Sequence, residues 1–295
     1  MISKLLAFRF VWLTVAAIFL GLCSTAVAQT KAGVIKAQRV VGEVTKQAAD
    51  GSAQLLKNGD VLTESDTVIT TKGAGVVLVF ANGSSIKLGA ESKLAIEQFK
   101  MDPLQEDVKI ADLQAEPSVS QTAVNLSYGE IVGDVKKLNT AGGSKFTIKT
   151  PVGAAGIRGT QFRIVFRPTG DGRAFDFKLS TNEGLVEFTG TTPGAASVPV
   201  PADVEVSVTA TVDPVTNQIT GIEISTPAGI SPEAKAAIVE AVQTAIQQAQ
   251  ADTTITVSEQ VTVSTTTTTT TKTTEQKEPP SEQKTGDQLT PGAGK

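Results

Sequence analysis

The sequence predicts a mainly β protein, and three observations support this class. Apolar residues alternate with polar residues at a period of two from residue 33 to about residue 190. Glycine, asparagine and aspartate separate these short runs, as is typical of strands joined by tight turns. No helical periodicity interrupts the runs. Many short strands without helices form a closed all-β unit, so we expect a sandwich, a barrel or a short, solenoid-like unit.

The clearest single element is a hairpin at Asn82-Gly83. Alternating apolar runs flank this pair, one over residues 75–81 and one over residues 84–88. Asn-Gly is the strongest short hairpin signal, because a type I′ turn needs a positive φ at both central residues. A further turn is predicted at Asn182-Glu183-Gly184.

A glycine-rich stretch from Thr150 to Phe162 joins two alternating segments. Its three glycines and two alanines are typical of a place where backbones come close or where a Cβ is not tolerated. Arg158 is the only charged residue in it. We interpret Arg158 as structural, with a guanidinium that spans neighbouring strands toward a carboxylate such as Glu183 or Glu130. The alternative is a docking contact. Phe162 is expected in the core, with Thr160 on the same face.

The segment from Asp102 to Ser120 breaks the strand pattern. It contains Pro103 and Pro117, is rich in acidic residues and shows little periodicity. We interpret this acidic loop as a surface excursion and as a candidate contact for a partner protein.

After a break near residue 190, a smaller hairpin, helix and strand unit is predicted over residues 198–264. Ser231-Pro232-Glu233 begins its helix, with serine as N-cap and proline at the first helical position. The helix has a narrow apolar stripe that predicts packing on the preceding hairpin; self-association or a partner groove is the alternative. The alternation of Ile255, Val257, Val261 and Val263 predicts one more strand.

The two ends of the chain are predicted to lie outside the folded domains. Residues 1–28 have a basic start, a short apolar run and the small-x-small triplet Ala26-Val27-Ala28, so we expect a signal peptide cleaved before Gln29. A lipid anchor on Cys23 and an uncleaved anchor are the alternatives. Residues 265–295, a threonine run and a polar tail, are predicted to be disordered. Such a tail can act as a spacer or carry glycans.

The composition excludes several kinds of site. The chain has no histidine and only one cysteine, Cys23, which lies in the predicted signal peptide. Histidine-based catalysis, thiol catalysis, disulfides and thiolate metal sites are therefore excluded from the mature chain, and we expect no cofactor and no metal. Loss of Lys4 and Arg9 with the signal peptide moves the formal net charge from -4 to -6. An acidic chain disfavours nucleic acid and anionic membranes as partners.

Several motifs occur together in an order that resembles a known family. They are 58–62 (NGDVL), 66–71 (DTVITT), 77–84 (VLVFANGS), 127–131 (SYGEI), 146–151 (FTIKTP), 157–162 (IRGTQF) and 182–186 (NEGLV). This set resembles the FecR domain, a β module named for the ferric-citrate signalling regulator, over residues 33–190. The resemblance implies that the motif residues have a structural role, and these are Thr150, Pro151, Arg158, Gly159, Thr160 and Phe162.

The resemblance implies an extracytoplasmic module that binds another envelope protein. In the founding regulators a cytoplasmic anti-sigma segment and a membrane helix precede the domain. This chain instead begins with a cleavable signal, so we expect a periplasmic or secreted form without that segment and without a membrane span after cleavage. We predict a non-enzymatic protein-interaction module that acts as an accessory in envelope signalling. The alternative is a structural envelope or matrix protein with a threonine-rich spacer. The oligomeric state stays open.

Overall fold

The structure is a computed structural model that describes residues 31–169, 174–191, 194–213, 216 and 219–263. The mainly β class predicted from the sequence is confirmed. The predicted signal peptide with Ala26, Ala28 and Gln29, and the predicted tail 265–295, lie outside the described residues.

Nineteen strands occur in the described part of the chain. They are β1 (Lys31–Ala32), β2 (Ile35–Val41), β3 (Val44–Gln47), β4 (Ala53–Leu55), β5 (Val61–Leu62), β6 (Thr67–Thr70), β7 (Gly75–Phe80), β8 (Ser85–Leu88), β9 (Ser92–Met101), β10 (Val108–Lys109), β11 (Ser120–Asp134), β12 (Lys145–Thr150), β13 (Gly153–Pro168), β14 (Ala174–Gly190), β15 (Ser197–Pro201), β16 (Val204–Val212), β17 (Ile219–Ile224), β18 (Ala228–Gly229) and β19 (Thr254–Ile255). Short 3₁₀ helices lie at Ile110–Asp112 and Thr140–Gly142.

The strands form two layers. The first layer has the order β4, β3, β6, β9, β11, β12, β13, β14 and β15, in which only the β11–β12 pair is parallel. The second layer has the order β5, β2, β7, β8, β11, β13, β14, β16 and β17. Three long strands, β11, β13 and β14, therefore belong to both layers.

Glycines bend these three shared strands where they pass from one layer to the other. The bends lie near Gly129 (φ 112°), Gly159 (φ 61°) and Gly184 (φ 81°), angles that favour glycine. A Cβ on Gly184 would lie 2.2 Å from the carbonyl oxygen of Gly159, so two of the bends pack directly on each other. The turn predicted at 182–184 is therefore wrong, because these residues form a bend within the continuous strand β14. A glycine with a positive φ allows a bend within a strand as well as a turn between two strands.

Aromatic rings from the two layers meet in one core. Phe80 of the second layer packs edge-on against Phe99 and Phe146 of the first, with ring centroids 5.2 and 5.7 Å apart. Phe177 and Phe188, which lie in different halves of β14, stack at 4.9 Å. The two layers thus enclose a shared hydrophobic interior.

The predicted hairpin at Asn82-Gly83 is confirmed, since β7 and β8 pair antiparallel on either side of it. Its turn is not of type I′, because only Gly83 has a positive φ (88°). Asn82 is buried, where its side chain accepts from the amide of Ser84 and donates to Ser120 Oγ. These hydrogen bonds hold Asn82 outside the left-handed region.

A C-terminal helical segment covers the outer face of the second layer. It consists of α1 (Pro232–Ala241), a π-helical turn (Val242–Ile246) and α2 (Gln247–Ala251). The predicted N-cap is present, since Ser231 Oγ accepts from the amide of Ala234 at 3.3 Å. The apolar stripe packs mainly on β7, β8, β11, β13 and β14 rather than on the preceding hairpin. Among residues 31–263, no helix combines the length and apolarity needed to cross a membrane.

The predicted strand over residues 253–264 is largely wrong. Only β19 is extended, and a helix, α3, follows at 257–263. The reason is a capping box: Thr256 Oγ1 accepts from the amide of Glu259, and Glu259 Oε2 accepts from the amide of Thr256. This reciprocal pair starts a helix despite the β-branched residues.

The acidic loop 102–120 packs against this last segment and is not a bare surface excursion. Its strand β10 pairs with β19, and Leu104, Val108 and Ile110 are buried. Gln260 accepts from the amide of Leu104 at 2.8 Å, and Asp107 accepts from the amide of Val257 at 2.9 Å. We call residues 253–263 the C-terminal strap, because they fasten the acidic loop.

Candidate functional site

The outer face of the first layer is the candidate functional site. None of the helical segments 232–241, 242–246 and 247–251 packs along its central strands β9 and β12. We call it the open face. Alternation along the strands turns mostly small or charged residues outward, namely Ala95, Glu97, Ala123, Asn125, Thr147, Lys149, Ala154, Gly156, Arg158 and Glu187. The result is a flat, polar surface.

Arg158 lies at one end of the open face with its head group in solvent. It follows Gly156 and Ile157 on β13, and its Nη2 atom donates to Glu187 Oε2 on β14 at 3.1 Å. The two side chains are 55% and 41% exposed. The guanidinium therefore spans neighbouring strands as predicted, but not toward the predicted partners. Glu130 instead accepts from Arg163 Nε at 2.7 Å.

The other predicted motif residues hold the backbone around Arg158. Thr160 is buried and donates from Oγ1 to the carbonyl of Leu185 at 3.1 Å. Phe162 is fully buried and packs where Gly133 leaves room for its ring. Thr150 Oγ1 donates to the carbonyl of Gly153 at 2.9 Å, whereas Pro151 is exposed. The structural role of these residues stays a prediction that this geometry supports.

Two open grooves flank Arg158. One, of about 440 Å³, runs over β12 and β13 between Lys145 and Glu187. The other, of about 400 Å³, is lined by Lys136, Lys137 and Glu183. Arg158 forms part of both linings.

A second ion pair lies further along the open face. Lys149 Nζ is 2.7 Å from Glu97 Oε2, and Asn125 Nδ2 donates to Glu97 Oε1 at 3.0 Å. The Lys149 ammonium holds the pKa of Glu97 below its usual range, and Asn125 adds to this effect. The carboxylate is therefore ionised at neutral pH and fixed in one orientation.

This arrangement offers charged groups that can bind a partner. Within the described residues, no cluster of three or more Asp, Glu, Cys or His side chains could hold a metal ion. The two grooves are shallow and open, so they would not exclude water from a reacting group. Charged side chains on a flat surface recognise a partner by hydrogen bonds and electrostatic attraction.

Sequence reasoning missed Lys137, Lys145 and Glu187 as neighbours of Arg158. The alternation along β12 places Lys145 outward, and that signal was readable. Glu187 was not readable as the partner, because it lies opposite Gly156 and is only a diagonal neighbour of Arg158, whose direct partner across the ladder is Leu185.

Comparison with known proteins gives a family for the central part of the chain. Residues 66–187 match the family described as FecR protein. Two crystal structures described as a "putative anti-sigma factor" from Parabacteroides distasonis ATCC 8503 are similar, with TM-scores of 0.38 and 0.37 and 11% identity. Each match covers 59% of this chain and 64% of that chain, so this chain spans less than two thirds of that protein. No curated protein matches significantly.

The family match agrees with the motifs found in the sequence. It covers the hairpin at Asn82-Gly83 and the glycine-rich stretch with Arg158. The family indicates a signalling-related regulatory role. Residues 66–187 of this chain therefore match a FecR domain.

Proposed function

We propose that this protein is an extracytoplasmic, non-enzymatic interaction module that serves as an accessory in cell-envelope signalling. It binds another envelope protein through the open face of its FecR domain. The observation that carries this proposal is the contrast between the two outer faces. The second layer is covered by the chain's own helix, while the first presents a flat, charged surface.

The size of the open face is sufficient for a protein partner. Strands β9, β11, β12, β13 and β14 lie side by side in it. At a spacing of about 4.8 Å, five strands make a surface roughly 24 Å wide. A helix or a neighbouring sheet fits on such a surface, and a flat shape suits a macromolecule better than a small ligand.

The extracytoplasmic location rests on the predicted signal peptide. We propose cleavage after Ala28, with the FecR-like domain over residues 33–190, the following unit over 198–264 and the tail as a spacer. Amino-terminal sequencing of the protein recovered from the periplasm or the medium should begin at Gln29. Recovery of an intact Met1 from the cytoplasm would contradict this placement.

Photo-crosslinking in intact cells tests the interaction. A photoreactive residue replaces Thr147, in the middle of the open face, and in a matched control it replaces Gln243, which is exposed on the C-terminal helical segment. We expect one stoichiometric partner to cross-link from position 147 and not from position 243.

Two results would contradict the proposed function. Equal cross-linking from both positions would show that the open face is not the binding surface. Cross-linking to bulk surface polymer instead of one protein would favour the alternative, a structural envelope or matrix protein whose threonine-rich tail acts as a spacer.

A further inference from the structure

Arg158 has unused binding capacity. A guanidinium carries several N–H donors in a planar fork. In the described structure only one contact to a side chain is formed, from Nη2 to Glu187 at 3.1 Å. Exposed ion pairs contribute about 0–1 kcal/mol, so Glu187 can be exchanged for an incoming carboxylate at little cost. Arg158 is therefore able to bind the carboxylate of a partner with two parallel hydrogen bonds.

Two exposed lysines flank Arg158. Lys145 lies opposite Arg158 on the next strand, because Phe146 pairs with Ile157 in the β12–β13 ladder. Lys137 lies beside Gly159, where a Cβ would approach the Lys137 Cα to 3.3 Å. Neither lysine forms an ion pair with another described residue. Three cations thus line adjoining grooves.

The acidic residues near these cations limit how densely charged an anionic partner of the grooves can be. Asp134 is paired with Lys136 at 3.5 Å, Glu187 is paired with Arg158, and Glu183 lines one groove. A dense polyanion such as nucleic acid would be repelled by these carboxylates and by the acidic chain as a whole, with its formal net charge of -4. Isolated carboxylates separated by neutral residues would fit between them.

We propose that the grooves beside Arg158 bind an extended, acidic segment of the partner protein. Arg158 binds one carboxylate with two hydrogen bonds, while Lys145 and Lys137 attract the carboxylates on either side. In an extended segment, alternate side chains point to the same side at a spacing of about 7 Å, so every second residue can reach this row of cations. This inference rests on the proposed function and adds to it the binding residues and the chemistry of the partner.

Binding of a synthetic peptide tests the proposal. The probe is a short, fluorescently labelled peptide in which glutamate alternates with threonine, and the control peptide carries lysine in place of glutamate. We expect fluorescence anisotropy to detect binding of the glutamate peptide only, with an affinity that falls as salt is added. The double variant Arg158→Ala/Lys145→Ala should weaken binding about tenfold or more.

Lys235→Ala is the matched control. It removes one exposed, ion-paired cation from the C-terminal helical segment, away from the open face and from the two grooves, and it should leave peptide binding almost unchanged. Thermal melts of all variants check that the fold is retained. An equal loss in Lys235→Ala, equal binding of the lysine peptide, or unchanged binding by the double variant would each overturn the proposal.

The same variants separate this inference from the proposed function. If the double variant still captures the parent's envelope partner, the inference is wrong and the proposed function stands. If the parent captures no partner from envelope extracts, the proposed function fails. Sedimentation analysis covers one further outcome: self-association that the double variant abolishes would show that the acidic segment belongs to a second copy and would overturn the assignment to a different protein.

Discussion

Gly184 shows how strongly one missing side chain constrains this fold. Its φ is 81°, and an added Cβ would lie 2.2 Å from the carbonyl oxygen of Gly159. Gly184→Ala should cost about 1–2 kcal/mol for the left-handed backbone and about 1–3 kcal/mol more for the overlap. Gly143→Ala is the control, because Gly143 also has a positive φ (97°) but open space around it. Chemical denaturation should show the larger loss for Gly184; equal losses would contradict the close packing of the two bends.

Arg158 and Phe162 should differ in their effect on stability, although they belong to one motif. Arg158→Ala removes an exposed ion pair and should change the free energy of unfolding by about 1 kcal/mol or less. Phe162→Ala empties a fully buried site and should cost about 3–5 kcal/mol. Thermal melts compare the two variants. A loss in Arg158→Ala that approaches the loss in Phe162→Ala would restore the interpretation of Arg158 as structural.

At the scale of elements, the C-terminal strap should loosen in acid. Burial works to raise the pKa of Glu259, but the Lys36 ammonium at 2.6 Å and the amide of Thr256 hold the pKa below the ordinary value of 4.5. Because the pKa is lower in the folded state, the carboxylate stabilises the strap above pH 4.5. This contribution disappears as the pH falls through the folded-state pKa.

Hydrogen exchange of the strap measures this effect. The amides of β10 and β19 should lose protection in acid in the parent protein. Glu259→Gln keeps an acceptor for the amide of Thr256 but cannot titrate, so its strap should be weaker at neutral pH and respond less to acid. A strap whose protection has the same pH dependence in both proteins would contradict the role of Glu259.

Local signals in the sequence were sufficient for some elements and not for others. The hairpin at Asn82-Gly83 and the helix start at Ser231 depend on neighbouring residues, and both are present. The capping box at Thr256 is also a local signal, but the alternation of valines around it favoured the prediction of a strand. The order of the acidic loop depends on Gln260, more than 150 positions away in the chain, and no local pattern reports such a contact.

The candidate site was predicted only in part for a related reason. The glycine-rich stretch identified Arg158 as unusual from composition alone. Its orientation depends on the alternation along β13, and Gly159 interrupts that alternation with a bend. The surface on which the C-terminal helical segment packs could not be predicted either, since an apolar stripe does not specify which layer it covers.

At the scale of the whole molecule, the region matched by the family should not fold without its surroundings. Residues 66–187 lack β2, which pairs with β7, and β16, which pairs with β14. They also lack the helix that buries Ile238 and Ile246 on the second layer. Residues 31–263 should unfold cooperatively at nearly the same temperature as residues 29–295, whereas residues 66–187 should show no cooperative transition in calorimetry. A cooperative transition in that fragment would contradict this dependence.

The three shared strands also have a mechanical consequence. Because β11, β13 and β14 run through both layers, peptide backbone as well as side-chain contact connects one layer to the other. A force that pulls the two layers apart would act along the backbone of these three strands. The layers could therefore not slide past each other. In a single-molecule pulling experiment, residues 31–263 should therefore rupture in one event, and two separate events of similar length would show that the layers act as independent springs.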